Sequence, residues 1–308
     1  MSKKLLAIMI LSVFFFGNAE AKRINPPILT AEFEQMAFMQ LYPTFSWEPL
    51  PKTEFYEVRV VKISTNKIVR ELFNAEGFNR VTDWEPLTET GKYYWQVRVV
   101  DKKHKALSDW SEKKYFEVTA PVEFAALGDS ITHGGASYIP AGQISCQWET
   151  FCDVPIKNLG RSGDTTEMMV NRFEKDVLPF KPRVLIIMGG VNDVREGKKA
   201  AEVIKNFETL RGKCLEHEII PVFCTITSMN PEKMALRGIF LTNGDWREQR
   251  EQINSWIKQM PYFIDAAEEL TDELGYLRAE LTPDGLHPAL RGKKLMGEKI
   301  SDCLKKIF

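Results

Sequence analysis

The sequence predicts a two-part fold: an all-β sandwich, then an α/β domain on a parallel sheet covered by helices on both faces. Three observations predict it. Between about residues 24 and 119, apolar residues alternate at period two between proline- and glycine-marked turns. After Pro121 the pattern changes to short continuous apolar runs separated by stretches with helical spacing. The length, 308 residues, accommodates two domains, and a 44% hydrophobic content supplies their cores.

The first element is a leader. Lys3 and Lys4 precede an apolar run from Leu5 to Phe16, and Ala19-Glu20-Ala21 supplies the small residues of a cleavage site. A signal peptide over residues 1–21 is therefore expected, with a mature chain starting near Lys22 and exported to the periplasm or the outside of the cell. The run is too short to span a bilayer, and no second long apolar run follows, so no membrane span is expected. No cysteine follows the cleavage site to take a lipid.

The β part covers residues 24–119. "FYEVRVV" places Tyr56, Val58 and Val60 on one face, "YYWQVRVV" does so with Trp95, Val97 and Val99, and "KYFEV" closes the region. Pro43, Pro49, Pro51, Pro86 and Gly91 mark the turns. With Trp47 early in "PTFSWEPLP" and Ser108 to Ser111 before the last strand, this region resembles a fibronectin type III or immunoglobulin-like sandwich. Trp47, Trp84, Trp95 and Trp110 are read as core and edge packing in preference to a sugar-stacking surface.

The α/β part covers residues 122–308. Its expected strands are Phe124–Leu127, Ile156–Leu159, Val184–Met188, Ile219–Ile226 and Tyr262–Asp265. Helical spacing links Met169, Phe173 and Val177; then Ala200, Val203, Ile204, Phe207 and Leu210; and last Met296, Ile300, Leu304 and Ile307. A further helix starts in "NGDWREQ", where Asp245 and Glu248 have the spacing of a capping box. The long connection from Ser228 to Gly244 forms either a substrate wall or a short packed helix.

In such sheets functional groups gather beyond the carboxyl ends of the strands. Ser130 follows the first strand in "GDSIT", Gly163 the second in "GRSGDTT", and Asn192 the third in "GGVND". Asp284 and His287 share the last loop, "DGLHP". Their chemistry is complementary. A serine hydroxyl needs a base to become a nucleophile, and imidazole titrates near neutrality. A carboxylate three residues away can fix the ring's tautomer and stabilise its charged form. The Ser130 N–H, the Gly163 N–H and the Asn192 amide are donors for an oxyanion hole. Pro288 suits the first position of the final helix. His133 is read as structural or as a substrate contact, and Arg161 and Arg195 as ordinary rim charges or as contacts for an anionic substrate.

This set of blocks, in this order, resembles the SGNH (GDSL) hydrolase family over about residues 122–308. The resemblance implies a flavodoxin-like three-layer α/β/α sandwich and ester hydrolysis through an acyl-serine. It implies Ser130 as nucleophile, His287 as base, Asp284 as its partner, and Ser130, Gly163 and Asn192 as the oxyanion hole. No metal or cofactor is required. A sandwich before such a domain resembles the layout of secreted carbohydrate esterases, so the expected substrate is an ester, in particular an O-acetylated glycan. The alternatives are a lysophospholipase or thioesterase acting on longer acyl chains, and a non-catalytic glycan-binding protein. The net charge of -1 offers no basic field for nucleic acid. Five cysteines leave at least one unpaired in a monomer. Cys146 and Cys152 are close enough in sequence to bridge in an oxidising compartment, while Cys214 and Cys224 read as core residues.

Overall fold

The structure is a computed structural model and describes residues 24–74, 77–136 and 139–308; the leader predicted over 1–21 lies outside them. The β part contains β1 (Thr44–Ser46), β2 (Tyr56–Lys62), β3 (Lys67–Asn74), β4 (Arg80–Thr82), β5 (Gly91–Val99) and β6 (Lys114–Val118). They form a four-stranded antiparallel sheet ordered β3-β2-β5-β6 and a small β1-β4 pair. The alternation predicted for β2 and β5 directs Tyr56, Val58, Val60, Trp95, Val97 and Val99 inward, and all are buried. The two sheets meet through Phe45 and Trp95, whose rings lie 5.0 Å apart. Trp47 is also core, whereas Trp110 lies between the guanidiniums of Arg59 and Arg98, at 4.2 and 4.3 Å. Trp84 differs from them: it is 46% exposed on the loop after β4.

The second part has strands β7 (Phe124–Gly128), β8 (Ile156–Gly160), β9 (Val184–Met188), β10 (Ile220–Cys224) and β11 (Phe263–Ile264), all parallel, ordered β11-β10-β9-β7-β8. This is the flavodoxin-like order, with its switch point between β7 and β9. Every residue of β7, β8 and β9 is buried, as strands covered on both faces must be. The helices are α1 (Ser130–His133), α2 (Thr166–Asp176), α3 (Val191–Arg195), α4 (Ala200–Glu216), α5 (Pro231–Ala235), α6 (Trp246–Ile257) and α7 (Leu290–Ile307). The long connection predicted from Ser228 to Gly244 holds a short packed helix, α5, which buries Met234 and is capped by the Asn230 side chain. Among the described residues, no helix is long and apolar enough to cross a membrane.

Two local expectations are corrected. Asp245 is the N-cap of α6 but makes no capping box; its carboxylate is taken by Lys199 at 2.7 Å and Gln249 at 3.0 Å. The last helix starts at Leu290 rather than Pro288, because Thr282 binds the His287 carbonyl and the Ala289 N–H goes to Leu281. All five cysteines are free thiols. Cys152 Sγ points at the Gly297 carbonyl of α7, 3.2 Å away, and Cys214 and Cys224 lie in the core.

The two parts meet along residues 39–44. Lys157, fully buried, donates to the Met39 carbonyl, and Leu41 N–H donates to the Asn158 carbonyl. Gln40 reaches Gly142, and Thr44 reaches the Ala141 carbonyl. The Lys157 ammonium, with burial acting against its charge, has its pKa pushed down to about 7.

Candidate active site

Register sets the site. Gly128 pairs with Gly160 on one side and Met188 on the other, so three strands end level. Ser130, Gly163 and Asn192 follow these ends by two, three and four residues. Gly160 is required by close approach: a Cβ there would strike the His133 backbone of α1. Ser130 is the first residue of α1, so its N–H has no intrahelical partner. The cap is Asp129, whose Oδ1 accepts from Ile131 N–H at 2.8 Å. Burial raises the Asp129 carboxyl to about 6.

The last loop supplies the acid–base pair. Asp284 Oδ1 accepts from Leu286 N–H at 3.0 Å and His287 N–H at 2.8 Å. Its Oδ2 lies 2.8 Å from His287 Nδ1, and His287 Nε2 lies 2.9 Å from Ser130 Oγ. A carboxylate only accepts, so Nδ1 carries the proton and the Nε2 lone pair faces the serine. Asp284 is fully buried. Lys293 of α7, also fully buried, donates to the Ile131 carbonyl and ties the helix after His287 to the helix that starts at Ser130. Burial pushes the Lys293 ammonium's pKa down, against the pull of Glu149 and Asp129.

The opposite wall is a set of donors. Gly163 has φ +89°, a conformation that favours glycine, and an added Cβ would meet no atom within 4 Å. Among the described residues its N–H makes no backbone hydrogen bond. The Asn192 amide gives one hydrogen to the Asp164 carbonyl at 2.9 Å, which fixes its plane and leaves the second hydrogen to a ligand. Asp193, beside it, turns inward to bind Thr166 N–H and Oγ1 at 2.9 and 2.8 Å, and so anchors the start of α2.

The structure thus brings Ser130, His287 and Asp284 into one hydrogen-bonded line and sets Gly163 and Asn192 on the neighbouring strand ends. His133 is fully buried. Arg161 covers the Tyr42 ring at 5.6 Å, and Arg195 pairs with Glu196 at 2.8 Å. Sequence reasoning missed Lys293 and Tyr42. Lys293 had a signal, since it falls on the apolar stripe of α7 with Met296, Ile300 and Leu304. Tyr42 had none.

Comparison with known proteins gives the family and the fold. Residues 126–295 match the GDSL-like lipase/acylhydrolase family, and residues 34–120 match the Rha78A-like N-terminal immunoglobulin domain. A solved GDSL-like lipase from Bacteroides thetaiotaomicron is similar at a TM-score of 0.51 and 20% identity, over 62% of this chain and 93% of its own; this likeness shows the fold. A solved lipase/acylhydrolase from Enterococcus faecalis has a TM-score of 0.47 and 22% identity, over 60% of this chain and 97% of its own. No curated protein matches the chain.

Proposed function

Since the chain belongs to the GDSL-like lipase/acylhydrolase family, we propose that it is a serine esterase whose nucleophile is Ser130. The observation that carries this reading is the line from Ser130 Oγ to His287 Nε2 at 2.9 Å and from Nδ1 to Asp284 at 2.8 Å. His287 Nε2 takes the hydroxyl proton as Oγ attacks the ester carbonyl carbon. Asp284 stabilises the imidazolium that forms. The Ser130 and Gly163 N–H groups and the second Asn192 hydrogen receive the oxyanion. His287 returns its proton to the departing alcohol, then activates the water that releases the acid. No step calls on a metal or cofactor.

The preferred substrate is an O-acetyl ester on a glycan, met after export. Trp84 supports the glycan: its exposed ring stands 5.7 Å from that of His133, which in turn binds Ser162 at 3.0 Å, and offers a face on which a sugar could stack. Turnover of acetyl and octanoyl p-nitrophenyl esters, with acetate release from acetylated oligosaccharides, tests this choice. A strong octanoyl preference replaces it with a lysophospholipase or thioesterase. Ser130→Ala tests the mechanism: turnover is lost with binding and folding intact. Unchanged turnover in that variant refutes it, and absence of ester turnover in the unaltered protein leaves a glycan-binding protein.

A further inference from the structure

We propose that Tyr42 of the N-terminal β part clamps the oxyanion loop, Ser162–Asp164, from both sides, with His133 as the positioning residue on one arm. The proposal rests on the assignment of Gly163 as an oxyanion donor.

The first arm runs through His133. Its Nε2 lies 2.8 Å from the Tyr42 carbonyl oxygen. A carbonyl only accepts, so Nε2 carries the hydrogen. In the neutral ring Nδ1 is then a lone pair, and it accepts from Ser162 N–H at 3.1 Å and the Ser162 hydroxyl at 3.0 Å. The ring stays neutral because burial, helped by the charges of Arg172 and Arg161, pushes its pKa down to about 4.

The second arm runs through the Tyr42 phenol, which donates to Asp176 Oδ2 at 2.6 Å. Arg172 binds the same oxygen at 2.9 Å and holds Asp164 Oδ2 at 2.5 Å. Two further Arg172 bonds, to the Leu159 and Gly128 carbonyls, fix it to the strand ends. The Asp164 carbonyl in turn receives Asn192.

Gly163 therefore sits between two neighbours, each traced by hydrogen bonds to one tyrosine in the bend just before β1 of the N-terminal part. Glycine at positive φ has little conformational stiffness of its own. An oxyanion donor works when it is aimed before charge develops, so the aim of the Gly163 N–H must come from its neighbours. The N-terminal part is on this account a working piece of the catalytic centre as well as a companion domain.

The test measures kcat and KM for p-nitrophenyl acetate in the full chain carrying His133→Gln, His133→Asn, Tyr42→Phe or Ser130→Ala. Glutamine still reaches the Tyr42 carbonyl but gives Ser162 N–H no acceptor. Asparagine sets an acceptor oxygen near the Nδ1 position and loses Tyr42. We expect His133→Gln to lower kcat by ~10–100-fold with KM within ~3-fold, less than outright removal of a donor. His133→Asn recovers at least ~5-fold of that loss, and Tyr42→Phe lowers kcat by ~3–10-fold, as misaimed donors would. The rate at which an organophosphonate labels Ser130 falls in the same order. Equal losses in the two His133 variants, losses taken up in KM, or an unchanged kcat in Tyr42→Phe overturn the clamp. Tyr42→Phe alters one hydroxyl and decides the matter where a His133 variant does not fold. Turnover surviving in Ser130→Ala refutes the site assignment itself, which is a separate failure.

Discussion

Asp284→Asn tests the acid–base pair with almost no change in shape. Asp284 uses both oxygens: Oδ1 holds two backbone N–H groups at 3.0 and 2.8 Å, and Oδ2 holds His287 Nδ1 at 2.8 Å. An amide has one acceptor oxygen. With that oxygen at the Oδ1 position, both backbone bonds survive and the NH2 faces Nδ1. The reverse orientation keeps the ring bond but sets NH2 against two N–H groups. The first orientation wins by two net hydrogen bonds, ~1–3 kcal/mol in all, and by the cost of the two backbone donors that the reverse orientation orphans. In it the amide donates to Nδ1, so the imidazole proton moves to Nε2 and faces Ser130 Oγ. The base then has no lone pair for the serine. A tautomer error of this kind in a serine triad lowers kcat by ~10⁴-fold, which at 1.36 kcal/mol per decade is ~5.4 kcal/mol of barrier. Unfolding free energy changes by ~1 kcal/mol or less, since buried packing is retained. The assay is p-nitrophenyl acetate turnover at neutral pH beside urea unfolding of the same sample. A loss under ~10-fold in a folded variant refutes the tautomer argument. Asp284→Ala is the contrast, because it orphans buried N–H groups at ~1–3 kcal/mol each and destabilises the fold measurably.

Other measurements address the neighbouring groups. Asn192→Ala removes one amide donor and is expected to lower kcat by ~10²–10³-fold with KM little changed; steady-state kinetics reads this, and a loss confined to KM contradicts the assignment. Stability should depend on His133 in acid. Its folded pKa is lowered to about 4 from 6.5, so the unfolded chain binds more protons between those values. The stability present above pH 6.5 is therefore lost as pH falls toward 4, by about 3 kcal/mol at ~1.4 kcal/mol per unit. Asp129 opposes this, because its raised pKa makes the folded state the better proton binder up to about 6. The difference in urea-unfolding free energy between the unaltered protein and His133→Asn isolates the histidine. It should grow from pH 4 to 6.5, and a pH-independent difference contradicts a buried neutral ring.

What could be read in the sequence was whatever local period and spacing encode. The parallel strands were legible as apolar runs because both of their faces are covered. Strand β3 was not, because most of its side chains are exposed or half-buried at a sheet edge and leave no clear alternation. Strands β1 and β4, of three residues each, are too short to show a period. The candidate site was legible for the same local reason. Ser130, Gly163 and Asn192 each follow a strand end, and three residues separate Asp284 from His287. The sequence by itself thus determined the two kinds of sheet, the rim, and which residues meet there. Only the tertiary structure decided that His133 faces the interior with one tautomer, that Lys293 joins α7 to α1, and that Tyr42 is linked through His133 to Ser162 and through Asp176 and Arg172 to Asp164. These depend on hydrogen bonds between segments as far as 91 and 162 positions apart. Such bonds form only after burial excludes water, and they leave neither period nor spacing in the chain.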